Sequence, residues 1–330
     1  METIRLVEAS SMSVKKSLQE LDISRSTFYN WYGRYQKYGY DGLADRKPTP
    51  RKFWNKIPEN IKEQVVDIAL EHSGKSPREL AWHITDTQGY FLSESSVYRI
   101  LKSYDLITSP AYIVLSAKDK FENPTKKVNE LWQTDFSYFK IIGWGWYYLS
   151  TVMDDYSRYI LAWMLSSTMS ANDVQKTLDM ALKKARIDHV KVKVKPRLLS
   201  DNGPSYISKD LKQYLEQKNI LHIRGAPYHP QTQGKIERYH RSLKNVINLE
   251  HYYFPEVLKK AIADYVNFYN NERYHESINN LRPADVYFNR SKEILTQRQI
   301  IKMDTMRIRK YQNLGKRMNN TVLDYQKCLS

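Results

Sequence analysis

The chain has 330 residues, with 52 Lys+Arg against 36 Asp+Glu and a formal net charge of +16 at pH 7. A charge this large favours a polyanionic partner such as nucleic acid. No run approaches the roughly 18 apolar residues of a membrane-spanning helix, and the N-terminus lacks the pattern of a signal peptide. We therefore expect a cytoplasmic protein with no membrane partner. The single cysteine, Cys328, excludes an intrachain disulfide framework and a Cys-rich zinc module.

Residues 1–50 have the pattern of a helix-turn-helix unit. Apolar residues at helical spacing from Ser13 onward fit a short helix, a turn at about 20–23, and a second helix capped by Ser24. The outer face of that second helix carries residue types that reach phosphates and base edges in a major groove. These candidate DNA contacts are Arg25, Ser26, Tyr29, Asn30 and Arg34. A plain helical hairpin with a polar outer face is the alternative.

The pattern recurs in residues 51–110, after a stretch at 39–52 rich in Gly, Pro and basic residues that could follow a DNA backbone. Helices are predicted from about Pro58, from about Pro77, and after a cap at Ser93. The last of them would present Ser95, Arg99 and Lys102 to DNA. Two such units in tandem favour DNA binding over two plain helical hairpins. Residues 111–128 are predicted to be a linker.

From Asn129 the chain becomes rich in strand-forming residues. Three strand-like runs separated by turn residues predict an antiparallel meander. An amphipathic helix at 171–186 follows, and then a strand, a helix at 208–218, a strand and a further helix that contains Glu237. This order predicts an α/β domain over 129–290 with a mixed five-stranded sheet and helices on both faces.

Three carboxylates in this domain can converge. Asp135 lies in one predicted strand, and Asp201 directly follows another. Ligands gather at the strand ends of such sheets. Glu237 comes next, just inside the start of a helix. Oxygen ligands without cysteine suit Mg²⁺ or Mn²⁺. Two such ions could activate one oxygen and stabilise the departing one in a phosphoryl transfer. A lone glutamate stabilised by the helix dipole is the simpler alternative for Glu237.

Basic residues surround Glu237, whereas a second acidic pair has no matching surroundings. Lys235, Arg238, Arg241 and Lys244 lie on the first turns of the helix, where they could bind a DNA backbone beside the metals. Arg241 and Lys244 share the face of Glu237, because they follow it at i+4 and i+7. Asp154 and Asp155 lie between two strands, and we interpret them as turn residues.

These residues carry a resemblance to a known family. Asp135, SDNGPSYIS around Asp201 and PYHPQTQGKIERYHRSLK around Glu237, with 35 residues between the last two carboxylates, resemble the Asp-Asp-35-Glu core of retroviral integrases and related insertion-sequence transposases. The resemblance covers about residues 129–250. It implies a ribonuclease-H-like fold and two Mg²⁺ ions, replaceable by Mn²⁺, held by the three carboxylates. It also implies that Asn202, Tyr228 and Gln233 lie beside the metals or beside the DNA end. Arg241 and Lys244 take the place of basic residues that bind the DNA end.

The departures from the retroviral pattern favour a bacterial mobile element. Tandem helix-turn-helix units replace the N-terminal His-His-Cys-Cys zinc module, and residues 265–288 resemble a tract that follows the core in bacterial transposases. The resemblance implies a nucleoid-associated transposase that binds terminal inverted repeats, frees 3′-OH ends and joins them to target DNA, as a dimer or higher oligomer. A DNA-binding regulator on a transposase-derived scaffold and a metal-dependent nuclease that only hydrolyses remain alternatives.

The C-terminal stretch 291–330 has no clear resemblance to a known module. It has 9 basic and 3 acidic residues, which leaves a net charge of +6. This charge predicts a basic tail that contacts DNA only through electrostatic attraction.

Overall fold

The computed structural model describes residues 1–44, 53–107, 125–187, 195–224 and 234–314. The chain forms two compact units, Met1–Phe53 and Trp54–Ser330. Tyr228, Gln233 and most of the predicted linker 111–128 lie outside the described residues. Among the described helices, none is both long enough and apolar enough to cross a membrane.

The described part of the first unit contains three α-helices, α1 (Glu2–Ala9), α2 (Val14–Glu20) and α3 (Arg25–Tyr38), followed by a short 3₁₀ helix at Gly39–Leu43. The Ser24 side chain caps α3 by accepting the Thr27 backbone N–H at 3.2 Å, as predicted. Apolar residues from all three helices form the small core: Ile4, Val7, Leu18 and Phe28. Helix α1 was not predicted, because it is short and its N-cap, Met1, has no capping side chain.

The second group of helices comprises α4 (Glu59–Glu71), α5 (Pro77–Gln88) and α6 (Glu94–Ser103), which confirms the three predicted helices. Ser76 and Glu79 form a reciprocal capping box at the start of α5, and the Ser93 hydroxyl accepts the Ser96 N–H at the start of α6. The helices bury a common apolar core that includes Val65, Leu80, Ile84, Val97 and Ile100.

Five strands form one mixed sheet with the order β3-β2-β1-β4-β5. They are β1 (Leu131–Ile141), β2 (Gly145–Asp154), β3 (Ile160–Ser166), β4 (Arg197–Ser200) and β5 (His222–Arg224). The first three are antiparallel neighbours, and β4 runs parallel to both β1 and β5. Gly143 and Gly145 have φ values of 81° and 88° at the turn between β1 and β2, a conformation that favours glycine.

Helices cover both faces of the sheet. On one face α7 (Ala171–Lys184), α8 (Pro204–Ile207) and α9 (Lys209–Gln217) bury a core that includes Val174, Leu178 and Leu211. On the other face α10 (Gly234–Ile247) and α11 (Pro255–Asn271) bury Ile236, Leu243 and Ile262 against β1 and β2. This order and layering confirm the predicted ribonuclease-H-like fold, which follows the all-α helix-turn-helix units in the sequence.

The predicted basic tail is largely a helix that packs on the rest of its unit. After α12 (Pro283–Tyr287), α13 runs from Ser291 to Leu314. Arg298 forms a buried ion pair with Asp86 of α5 at 2.7 Å, and Arg309 donates to the Tyr90 hydroxyl at 2.8 Å. The expectation of electrostatic DNA contact alone is therefore wrong for these two arginines, because their guanidinium groups hold α13 against the second group of helices.

Candidate active site

Asp135 and Asp201 come from neighbouring parallel strands. Gln133 of β1 is paired with Leu199 of β4, so the same register continued by two residues brings the backbone of Asp201 beside Asp135. Asp201 follows the end of β4, and its Oδ1 accepts the Gly203 backbone N–H at 2.9 Å. Asn202, the next predicted contact, is exposed. The two strands therefore place the first two predicted carboxylates at the same edge of the sheet.

Glu237 joins Asp135 at a shared cavity of about 370 Å³. Arg241 and Lys244 line the same cavity, as their spacing from Glu237 on α10 predicted. Asp201 is not among the lining residues, and the described part of the chain contains no group of three acidic, histidine or cysteine side chains able to hold a metal ion. The structure thus brings two of the three carboxylates together, with the third turned toward Gly203.

A buried amide fixes the start of α10. The Gln133 side chain on β1 accepts the Ile236 backbone N–H at 3.1 Å, and its amide nitrogen donates to Asp155 at 2.7 Å. Because Ile236 directly precedes Glu237, this bridge sets the position of Glu237 relative to Asp135, two residues along β1. No local sequence signal indicates this bridge, since a glutamine in a strand has no fixed partner until the fold is formed.

Lys235 belongs to this buried network rather than to the cavity. Its ammonium group pairs with Asp155 at 2.6 Å, and only 8% of the residue is exposed. Burial lowers the pKa of Lys235, and Arg158 acts in the same direction, whereas Asp155 opposes the shift. Asp155 does lie in the turn after β2, as interpreted from the sequence, but it is also the acceptor that holds Lys235. The predicted position of Lys235 beside the metals is wrong for this reason.

His240 is a site residue that the sequence reasoning missed. Its Nδ1 lies 3.2 Å from Oδ2 of Asp135, and its Nε2 lies 3.2 Å from the Thr151 hydroxyl. A carboxylate oxygen accepts hydrogen bonds, so Nδ1 of His240 donates to Asp135, and Nε2 is within hydrogen-bond distance of the Thr151 hydroxyl. The i+3 spacing from Glu237 was a usable signal, because it places His240 on the cavity side of α10.

Tyr206 of α8 is buried close enough to Asp135 and Asp201 for their charges to act on its hydroxyl. Burial raises its pKa well above the ordinary value, and the charges of Asp135 and Asp201 add to the shift, although the hydrogen bond with Thr134 opposes it. The phenol therefore stays protonated and lies 3.3 Å from the Thr134 hydroxyl.

The four predicted basic residues of α10 fall into two sets. Arg241 and Lys244 line the cavity with Glu237, and the Lys244 ammonium lies 4.1 Å from the centre of the Tyr138 ring. Lys235 and Arg238 line a different and larger cleft. Of these four residues, Arg241 and Lys244 therefore share the cavity with Asp135 and Glu237, and Lys235 and Arg238 do not.

Most of the predicted DNA contacts in the helix-turn-helix units are exposed. On α3, Arg34 differs from the others because it is half-buried and donates to the Ala44 carbonyl at 2.6 Å. The Arg34 guanidinium therefore binds a backbone carbonyl of the same unit instead of pointing freely into solvent. The exposed candidates are Arg25, Ser26, Tyr29 and Asn30 on α3, and Ser95, Arg99 and Lys102 on α6.

Four family models match the chain. Integrase core domain models match residues 125–230 and 218–283, and homeodomain-like domain models match residues 1–44 and 27–101. The integrase matches include Asp135, Asp201 and Glu237. The homeodomain-like matches overlap both predicted helix-turn-helix units, 1–50 and 51–110.

Known relatives include transposon and retroviral proteins. The transposase of transposon Tn552 from Staphylococcus aureus is 24% identical over 286 residues, which cover 79% of this chain and 59% of that protein. The Gag-Pro-Pol polyprotein of squirrel monkey retrovirus is 32% identical over 120 residues, or 36% of this chain. The chain spans only 6% of that polyprotein and 13% of an intracisternal A-particle Pol-related polyprotein of mouse.

One solved structure similar to this chain is the HTLV-2 integrase catalytic core domain in complex with magnesium. It is 18% identical, with a TM-score of 0.38, and the match covers 49% of this chain and 97% of that one. The family matches, together with the strand order and the helical units, lead to one assignment. The chain carries integrase core domain matches over 125–283 that follow homeodomain-like domain matches over 1–101, and these matches support an integrase-like transposase.

Proposed function

We propose that the protein is a DNA transposase that binds the terminal inverted repeats of a mobile element, cleaves to free 3′-OH ends and joins them to target DNA. One observation carries the proposal. Asp135 and Glu237, distant in sequence, line a single cavity together with Arg241 and Lys244. Carboxylates suited to divalent cations thus lie beside bases suited to a DNA backbone, which is the combination that phosphoryl transfer in DNA requires.

The donor set fits the metal that the family implies. Asp135, Asp201 and Glu237 offer only carboxylate oxygens, which Mg²⁺ and Mn²⁺ prefer. The strand register points Asp201 to the same edge as Asp135, and its exposed carboxylate would have to leave the Gly203 N–H to bind the same ions. Two divalent ions bound there would supply Lewis-acid charge stabilisation for the attacking and departing oxygens.

The chain's own residues position this chemistry. His240 holds the Asp135 carboxylate through a hydrogen bond, and Gln133 holds the backbone beside Glu237. Arg241 and Lys244 neutralise phosphates of the DNA end, so the scissile phosphodiester is drawn to the carboxylates. Water and then the freed 3′-OH would serve in turn as the nucleophile of the two steps.

Two rival functions make different demands on these residues. A DNA-binding regulator that keeps the fold as a scaffold needs none of the three carboxylates, whereas a nuclease needs all three but joins nothing. The deciding experiment incubates the full chain and Mg²⁺ with labelled duplexes that carry the element's ends. Nicked 3′-OH products and longer, joined products support the transposase, and an intact substrate would support the regulator. The DNA that flanks the gene should carry matching inverted repeats.

Metal exchange separates binding from chemistry. Mg²⁺ or Mn²⁺ is expected to support cleavage, whereas Ca²⁺ should support DNA binding without turnover, because it accepts the same oxygens with looser geometry. Gel-shift and cleavage assays on the same samples measure both quantities. Full activity in excess chelator would contradict the metal assignment.

The helix-turn-helix units are proposed to recognise the element ends. Arg25→Ala and Arg99→Ala in the full chain should each weaken binding to those ends by about 5–150-fold, which corresponds to about 1–3 kcal/mol for one base-reading side chain. Fluorescence anisotropy at fixed salt measures the change, and Lys259→Ala on the exposed surface of α11 serves as the control. Equal affinity of the unmodified protein for random duplex and for the ends would place recognition elsewhere.

We further propose that a dimer or higher oligomer acts on paired ends in the bacterial nucleoid. Each end needs an active site, and the sequence contains one Asp135, Asp201 and Glu237 set. Mixing an Arg25→Ala/Arg99→Ala variant with an Asp201→Asn variant tests whether one protomer can cut the end that another binds. Recovery of joining in the mixture supports action in trans, and no recovery at any ratio would assign each protomer to its own end.

A further inference from the structure

A second, larger cleft lies on a neighbouring face of α10. It encloses about 990 Å³ between the start of α10, the turn after β2 and the start of α13. Lys235 and Arg238 of α10 line this cleft. The smaller cavity beside Asp135 is lined by other residues of α10, namely Glu237, His240, Arg241 and Lys244. The two linings share no residue. The same helix therefore presents basic residues to two separate sites.

The described lining of the cleft is strongly positive. It contains four basic side chains, Arg158, Lys235, Arg238 and Lys292, and a single carboxylate, Asp155. That carboxylate already accepts hydrogen bonds from Lys235 at 2.6 Å, Thr125 at 2.6 Å and Gln133 at 2.7 Å. The described lining thus carries more positive than negative charge.

The basic residues are close enough to act on one another. Burial lowers the pKa of Arg158, with Arg238 acting in the same direction and Asp155 opposing it. Placing like charges together costs free energy that a bound anion would recover. The Ser291 hydroxyl adds a neutral polar group to the same lining.

We propose that this cleft binds backbone phosphates of DNA at a distance from the reacting phosphodiester. The proposal rests on the proposed function, because it gives the same DNA a second point of attachment. A duplex has a regularly charged backbone, and adjacent faces of α10 offer it Arg241 and Lys244 on one side and Arg238 on the other. The cleft would thereby hold the substrate in place while its end reaches the carboxylates.

The test measures the salt dependence of DNA binding by the full chain. Arg238→Gln/Lys292→Gln removes two exposed cations from the cleft, and Lys212→Gln/Lys259→Gln removes two exposed cations elsewhere. Anisotropy with a random-sequence duplex gives the slope of log K against log salt without any chemistry. The cleft variant should have a slope smaller than that of the control variant by about 0.9 for each phosphate that it no longer neutralises. Equal slopes for the two variants overturn the proposal.

A second measurement separates DNA from a small polyphosphate. Inorganic tripolyphosphate is added to the unmodified protein and to the cleft variant, and the melting temperature is recorded. A melting-temperature rise that is absent from the cleft variant, combined with unchanged DNA slopes, would identify a site for a free polyphosphate and overturn the DNA assignment. Because neither measurement needs cleavage, an inactive catalytic site would not alter the outcome, and the two proposals can fail separately.

Discussion

Asp135→Asn, Asp201→Asn and Glu237→Gln are each expected to reduce DNA cleavage and joining by on the order of 10³-fold or more. Each substitution keeps the shape of the side chain but removes a charge that the proposed metal ions require. Metal ions supply several kcal/mol of transition-state stabilisation, and each 1.36 kcal/mol corresponds to a factor of about ten in rate. Product formation with end-labelled duplexes measures the loss, and affinity for the element ends should stay within a few-fold.

A control substitution outside the cavity tests whether the loss of cleavage is specific to the three carboxylates. Asp264→Asn removes a carboxylate from the exposed surface of α11, where it does not line the cavity, and should leave cleavage unchanged. Near-normal joining by any one of the three site variants would remove that residue from the metal assignment. Loss of DNA binding together with cleavage would instead point to a folding role.

Arg298→Met should lower the free energy of unfolding by about 3–5 kcal/mol, because it leaves the Asp86 carboxylate without its buried partner. Arg298 is 5% exposed, donates to both oxygens of Asp86 at 2.7 Å and lies over the Trp82 ring. It also donates to the Asn280 carbonyl at 3.0 Å. Urea unfolding of the full chain measures the change.

Arg307→Met on the same helix is the matched control. Arg307 pairs with Asp304 at 3.4 Å, but 63% of its side chain is exposed, so the loss should be below about 1 kcal/mol. The double variant Asp86→Asn/Arg298→Met should recover part of the stability, since it leaves no unpaired charge. Equal effects of the two single arginine substitutions would show that Arg298 does not hold α13 in place.

The sequence predicted most helices and strands because their signals are local. Ser24 and Ser93 mark the starts of α3 and α6 through their own side chains, and alternating patterns mark the strands. The convergence of Asp135 and Glu237 was predictable from strand ends and helix spacing alone. These features depend on residues near one another in the chain or on the regular geometry of a sheet.

The features that were missed depend on long-range partners. Nothing near Arg298 in the sequence reveals that Asp86, more than 200 positions earlier, will bury it, so α13 read as a basic tail. Likewise, Lys235 looked like a residue of the carboxylate cavity until the fold paired it with Asp155. His240 gained a role only when the fold brought Asp135 of β1 next to α10. Charge alone cannot distinguish a solvated base from a buried one.

Supplying the protein with a pre-cleaved element end tests strand joining without the preceding hydrolysis. One duplex ends in a 3′-OH, and a second, otherwise identical duplex ends in a 3′-deoxynucleotide; both are incubated with Mg²⁺ and plasmid target. We expect the labelled 3′-OH end to become covalently joined to the plasmid and the 3′-deoxy end to remain free. Hydrolysed products with no joined strand from the 3′-OH end would contradict the transposase assignment and identify a nuclease.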